Sequence, residues 1–111
     1  MTDRQAGRQP PEQQLNLALE QARAHCDAVR KQLHELQQRH TRYLRELDQK
    51  RHFLAYATPE DDALEIAKAA ALIPVYEQTL ARLQPEMRDG QQELVVAERA
   101  LRQLEERGRL S

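Results

Sequence analysis

The fold is decided by residues 15–54, which read LNLALEQARAHCDAVRKQLHELQQRHTRYLRELDQKRHFL and place apolar side chains at alternating steps of four and three. The alternation returns in residues 66–104, IAKAAALIPVYEQTLARLQPEMRDGQQELVVAERALRQL. It is typical of the a and d positions of a coiled coil, which keep one stripe of each helix against a partner helix. We call these positions the seam: Leu15, Leu19, Ala22, Cys26, Val29, Leu33, Leu36, His40, Tyr43, Leu47, Lys50, Leu54, Ile66, Ala69, Ile73, Tyr76, Leu80, Leu83, Met87, Gly90, Leu94, Ala97, Leu101 and Leu104.

The composition favours long helices over a thick globular core. Of the 111 residues, 32% are charged and 4% are aromatic, and there is no tryptophan. The formal net charge of −1 predicts no bulk attraction to nucleic acid or to an acidic membrane. One cysteine and a polar N-terminus without an apolar signal segment predict a cytoplasmic protein. No apolar run is long enough for membrane insertion.

Turn and capping signals divide the chain. Residues 1–10 are polar and contain Gly7, which predicts a disordered tail. Helix one is expected over about 11–57, because proline fits the first helical turn. Thr58 and Pro59 resemble an N-cap followed by a first helical residue, so helix two is expected over about 59–107. Gly108 then suits a C-terminal cap, and residues 108–111 form a short tail.

Two helices of similar length joined by a tight turn predict an all-α fold, a long antiparallel two-helix coiled-coil hairpin. When facing residue numbers sum to about 120, e positions meet e positions, and Arg23 faces Glu98. Pro74 and Pro85 fall at outward positions of helix two, where the seam continues in phase, so we expect bends rather than breaks. The alternative is a third helix that begins at Pro74.

Polar residues within the seam have two interpretations. His40 and Lys50 could form a register-setting or pH-sensitive layer. The favoured interpretation is that both pack with their polar ends in solvent, with Lys50 extending over Ala69. Cys26 is expected to be a small buried hydrophobe. His25 and Cys26 have no further His or Cys one turn away, so no metal site is expected.

Charged segments support an alternative function, a nucleic-acid-associated or transcription-modulating coiled coil. A basic stretch could bind phosphate, although nearby acids and helix two favour a solvated face. This basic stretch comprises Arg39, His40, Arg42, Arg45, Lys50, Arg51 and His52. Glu60, Asp61 and Asp62 lie at the expected tip of the hairpin. Such acidic tips resemble those of factors that enter the RNA polymerase secondary channel, a resemblance that implies a role in transcription.

A surplus of apolar residues outside the seam is the strongest functional signal. A lone hairpin would leave these side chains in water, and apolar patches of this kind mark interfaces. Either two hairpins pair into a four-helix bundle dimer, or the hairpin docks on another protein. The predicted partner-binding residues are Leu44, Phe53, Tyr56, Leu64, Leu72 and Val75, with Val95 and Val96 further along.

These observations predict a non-catalytic binding or assembly protein. The sequence shows no phosphate-binding glycine loop, no nucleophile with a base and no paired carboxylates, so no catalytic residue and no cofactor are expected. In size, composition and predicted hairpin the chain resembles the small coiled-coil stalk and chaperone proteins of bacterial type III and flagellar export machines. That resemblance is one of shape and implies an adaptor, chaperone or stalk component within a secretion complex.

Overall fold

The computed structural model describes residues 11–110 and confirms the all-α helical hairpin. Helix α1 spans Pro11–Ala55 and helix α2 spans Ala63–Leu110. Of the described residues, 93% are helical and none lies in a strand. The predicted disordered tail and Ser111 lie outside the described residues.

The seam is the core of the hairpin. Every predicted seam position in both helices is buried or half-buried. The deeply buried apolar residues all belong to the seam, and they are Cys26, Val29, Leu33, Leu47, Ala69, Leu80, Leu83 and Ala97. Cys26 is fully buried, as expected of a small hydrophobe, whereas His40 and Lys50 are half-buried. The heptad phase predicted from the sequence is therefore confirmed.

The paired helices form two compact units. Among the described residues, 11–31 and 91–110 make up the terminal unit, and Gln32–Gly90 make up the loop unit. In the terminal unit, the Arg30 guanidinium lies 3.5 Å from the Glu98 carboxylate. The terminal unit also places Gly108 against Leu15, so that numbers rise along one helix as they fall along the other.

Within the loop unit the two helices are also antiparallel. Leu33 lies against Gly90, where a Cβ would approach Leu33 Cδ1 to 3.2 Å, so the leucine fills the space that glycine leaves. The rings of Tyr43 and Tyr76 are 6.0 Å apart between centroids. The Arg51 guanidinium lies 3.3 Å from the Glu77 carboxylate and joins two e positions.

The predicted pairing of Arg23 with Glu98 is wrong in its partner. Glu98 pairs with Arg30, one heptad further along the same e stripe. Each e side chain of an antiparallel pair lies diagonally between two e side chains of the facing helix, seven residues apart. Arg30 also bonds Asp27 at 3.2 Å on its own helix. The sequence predicted that e positions pair across the two helices, and the register between the helices determines which e residue each one meets.

Helix α2 runs through both internal prolines, so the alternative of a third helix beginning at Pro74 is wrong. Pro74 and Pro85 are exposed, as their outward heptad positions predicted. Each removes the hydrogen bond to the carbonyl four residues earlier. Those carbonyls belong to Ala70 and Ala81, which are exposed residues that solvent can reach.

The connection between the helices, residues 56–62, differs from the prediction. Helix α1 ends at Ala55, because the last turn tightens through a 3.4 Å bond from Ala57 N to Leu54 O ahead of the Thr58–Pro59 bond. Helix α2 begins at Ala63 rather than Pro59. The N-cap is Asp62, whose Oδ1 accepts the Leu64 amide at 2.9 Å.

Thr58 has a different role from the predicted cap. Its amide donates to Asp61 Oδ2 at 2.7 Å, and its hydroxyl donates to the same oxygen at 3.3 Å. These bonds hold a turn of the connection. Gly108 is not a C-terminal cap either, because α2 continues to Leu110 and no described glycine has a positive φ.

The cap assignment is testable by substitution. Asp62→Ala removes the acceptor for the Leu64 amide and is expected to lower the free energy of unfolding by about 1 kcal/mol. Asp62→Asn keeps an acceptor and should cost less. Urea denaturation followed by circular dichroism measures both, with Thr58→Ala as the matched comparison. A larger loss of unfolding free energy for Thr58→Ala than for Asp62→Ala would show that Thr58 is the cap instead.

Candidate functional site

The six predicted partner-binding residues all lie in the loop unit or its connection. Four of them are exposed despite their size: Tyr56 (73% exposed), Leu64 (59%), Val75 (52%) and Leu44 (43%). Phe53 and Leu72 are half-buried. Burying such side chains is favourable by about 25 cal/mol per Å² of apolar surface, so each could contribute to docking.

Phe53 and Leu72 line the same depression between the two helices, which we call the interhelical groove. It has a volume of about 360 Å³. Phe53 comes from α1, whereas Leu72 and Ala69 come from α2, and all three present apolar surface. The full lining is Gln49, Lys50, Phe53, Glu65, Lys68, Ala69 and Leu72. Lys50 therefore lies beside Ala69, as the favoured interpretation of the seam lysine predicted.

Leu44 lines a second, broader depression along α1, which we call the α1 groove, of about 730 Å³. Its lining is Thr41, Leu44, Arg45, Asp48, Gln49, His52 and Phe53. Phe53 and Gln49 belong to both grooves. The Tyr56 ring lies 4.6 Å from the His52 ring between centroids, at the end of α1.

The predicted residues therefore do not form one continuous patch. Leu44 and Leu72 line different grooves, and Phe53 lines both. The Tyr56 ring contacts the ring of His52, which lines the α1 groove. Leu64 and Val75 line neither groove. Sequence proximity to the connection grouped all six, but helical phase separates them.

The interhelical groove carries more positive than negative charge. Lys68 Nζ lies 3.5 Å from Glu65 Oε1, so these two groups offset one another. Lys50 takes part in none of the ion pairs described for residues 11–110. The neighbouring Glu46 carboxylate accepts a hydrogen bond from the Tyr76 hydroxyl, which, with burial, raises the pKa of Tyr76. Among the charged residues that line this groove, Lys50 is the one without an ion-pair partner there.

The basic stretch is divided by the structure. Arg51 is paired with Glu77, and His40 and Lys50 belong to the seam. Arg39, Arg42 and Arg45 remain exposed, and no ion pair described in the chain includes them. They line two shallow depressions of about 310 and 420 Å³ with His34, Glu35, Gln37, Gln38 and Thr41. The Arg42 guanidinium lies 5.3 Å from the Tyr43 ring centroid.

Most of the acidic residues of the connection accept hydrogen bonds from nearby residues. Asp61 accepts bonds from Thr58, and Asp62 caps α2. Only Glu60 has no contact among those described in the connection. Two of the three carboxylates therefore stabilise the turn in which they lie.

Sequence reasoning missed several residues of these surfaces. Gln49 and Lys68 line the interhelical groove, and their polar character gave no signal. Leu17 and Leu110 are exposed in the terminal unit, as are the anticipated Val95 and Val96. An apolar side chain outside the seam was the available signal for Leu17, and its distance from the other candidates concealed it.

Two features are absent from residues 11–110. No three His, Cys, Asp or Glu side chains there cluster so as to hold a metal ion. Neither helix contains a segment of the length and hydropathy that crossing a membrane requires. The chemistry of the grooves is the basis for assigning a function, because comparison with protein-family models, curated proteins and solved structures finds no match to this chain.

Proposed function

We propose that this chain is a non-catalytic binding or assembly protein that docks another protein on the loop unit. The role would be that of an adaptor, chaperone or stalk component of a larger cytoplasmic complex. The observation that carries the proposal is the pair of grooves that meet at Phe53. Grooves between and along helices are sites where a further helix can lay its apolar face.

The energetics of the loop unit support this proposal. The deeply buried side chains of the loop unit all belong to the seam, whereas Leu44, Phe53 and Leu72 lie outside it. All three keep apolar surface exposed, and a partner that covers them would remove this surface from water. Aromatic and aliphatic anchors in pockets usually dominate the binding energy of such interfaces.

A second candidate is a nucleic-acid-associated coiled coil, favoured by the exposed arginines Arg39, Arg42 and Arg45 of the basic stretch on α1. Binding of this kind rests on phosphate contacts and must weaken steeply as salt rises. Docking through the apolar grooves would depend much less on salt. Binding measured at low and physiological salt therefore separates the two candidates.

Affinity purification with matched variants tests the proposal. The loop-unit variant Leu44→Ser/Phe53→Ser removes two groove anchors. The control Val95→Ser/Val96→Ser removes two exposed apolar residues of the terminal unit. We expect proteins that co-purify with the wild type to be retained by the control and lost by the loop-unit variant, while circular dichroism shows equal helicity.

The opposite pattern would overturn the proposal. If the control loses the co-purifying proteins and the loop-unit variant keeps them, the terminal unit is the docking surface. If Glu60→Lys alone releases them, the acidic connection is the binding element and the transcription-related alternative gains support.

A further inference from the structure

We propose that the interhelical groove is a docking site for an acidic amphipathic helix, which inserts an aliphatic side chain between Phe53 and Leu72 and places a carboxylate against Lys50. This inference rests on the proposed function and specifies the chemistry of the partner. It follows from the apolar lining of the groove and from the surplus of positive charge in that lining.

The shape of the groove suits one apolar side chain. Phe53 forms its wall on α1 and Leu72 its wall on α2, and the small side chain of Ala69 belongs to the same lining. The volume of about 360 Å³ is of the size that binds a compact group. Both walls are half-buried, so they are already ordered by the hairpin and lose little conformational freedom on binding.

The charge of the groove selects an acidic partner. Lys50 occupies a half-buried seam position and lines the groove together with Phe53, Ala69 and Leu72. Glu65 is engaged by Lys68, so no free carboxylate of the groove offsets Lys50. A partner carboxylate would supply the missing counter-charge, and Gln49 adds an amide donor at the rim.

Further charged residues of the same flank lie along the loop unit. Glu46, one turn before Lys50 on α1, lies outside the groove lining; it accepts the Tyr76 hydroxyl and keeps its negative charge. The heptad phase places Arg42 and Arg82 on this flank at c positions, with Glu86 one turn beyond Arg82. A helix that follows the groove from Phe53 would therefore meet charges of both signs, and Lys50 remains the charge that selects the partner. Complementary charge of this kind sets orientation and partner choice.

A pair of labelled helical peptides provides the test. Both peptides carry the same leucine stripe, and their flanking positions are glutamate in one and lysine in the other. Fluorescence anisotropy measures their binding to the full-length protein. We expect wild type to prefer the glutamate peptide by about tenfold, and Lys50→Glu/Lys68→Glu to reverse that preference. Lys50→Gln/Lys68→Gln, which creates no like-charge contact with Glu65, should abolish the preference.

Two matched variants separate local from general effects. Lys31→Glu/Arg99→Glu makes the same change in net charge in the terminal unit and should retain the preference for the glutamate peptide. Leu72→Ser should weaken both peptides equally, because it removes a wall and no charge. Equal circular dichroism spectra establish that the variants are folded.

Several results would overturn the inference. These are equal binding of both peptides to wild type, a preference that survives Lys50→Gln/Lys68→Gln, and no binding of either peptide. Dimerisation in sedimentation that Lys50→Glu abolishes would assign the groove to a second copy of this chain instead. None of these results touches the affinity purification with Leu44→Ser/Phe53→Ser, so the proposed function can stand or fail separately.

Discussion

Leu47→Ala is expected to lower the free energy of unfolding by about 2–5 kcal/mol. Leu47 is a seam residue of the loop unit and is only 3% exposed. Truncation would expose little new surface to water but would leave a cavity between the helices, because neighbouring side chains relax only partly. Urea denaturation followed by circular dichroism measures the loss.

Leu44→Ala is the matched control, since it makes the same chemical change three residues earlier on the same helix. Leu44 is 43% exposed and lines the α1 groove. We expect it to change stability by less than about 1 kcal/mol and to affect partner binding instead. Equal losses of stability in the two variants would show that a seam position contributes no more to the free energy of unfolding than a position outside the seam.

Pro74→Ala is expected to raise the free energy of unfolding by about 2 kcal/mol. Proline costs about 3 kcal/mol relative to alanine within a helix, and the substitution restores an amide that can donate to the Ala70 carbonyl. The greater freedom of the unfolded chain offsets up to about 1 kcal/mol of this gain. For a domain of this size the midpoint of thermal unfolding should rise by roughly 10 °C.

Pro59→Ala is the control for this prediction. Pro59 lies in the connection, outside both helices, so its replacement restores no helical hydrogen bond. The stability of the Pro59→Ala variant should stay the same or fall slightly, because the unfolded chain gains conformational freedom. A midpoint for Pro74→Ala that does not exceed that of wild type would show that the bond to Ala70 is already replaced by other contacts.

The seam and the helical hairpin followed from the sequence by itself. Burial of a helical residue depends on its angle around the helix axis, which the spacing of residues determines without knowledge of the partner. Positions with unpromising side chains, such as His40, Lys50 and Gly90, therefore fell on the buried side as predicted. The continuation of α2 through Pro74 followed from the same phase.

The start of α2 could not be chosen from sequence with the same certainty. Thr58 followed by Pro59 and Asp62 followed by Ala63 are both good N-terminal signals. The structure uses the second, because Thr58 and Asp61 bond one another and close a turn before the helix. Local propensity allowed both starts, and the hydrogen bonds within the connection selected one.

The candidate site shows the same division between sequence and structure. Sequence alone marked Phe53 and Leu72 as apolar residues outside the seam, and it marked Lys50 as a polar residue within it. Only the packing of α1 against α2 placed all three in one groove and engaged Glu65 with Lys68. Helical period determines which side of a helix a residue occupies, but the register between two helices decides which side chains become neighbours, and that register depends on contacts far apart in the chain.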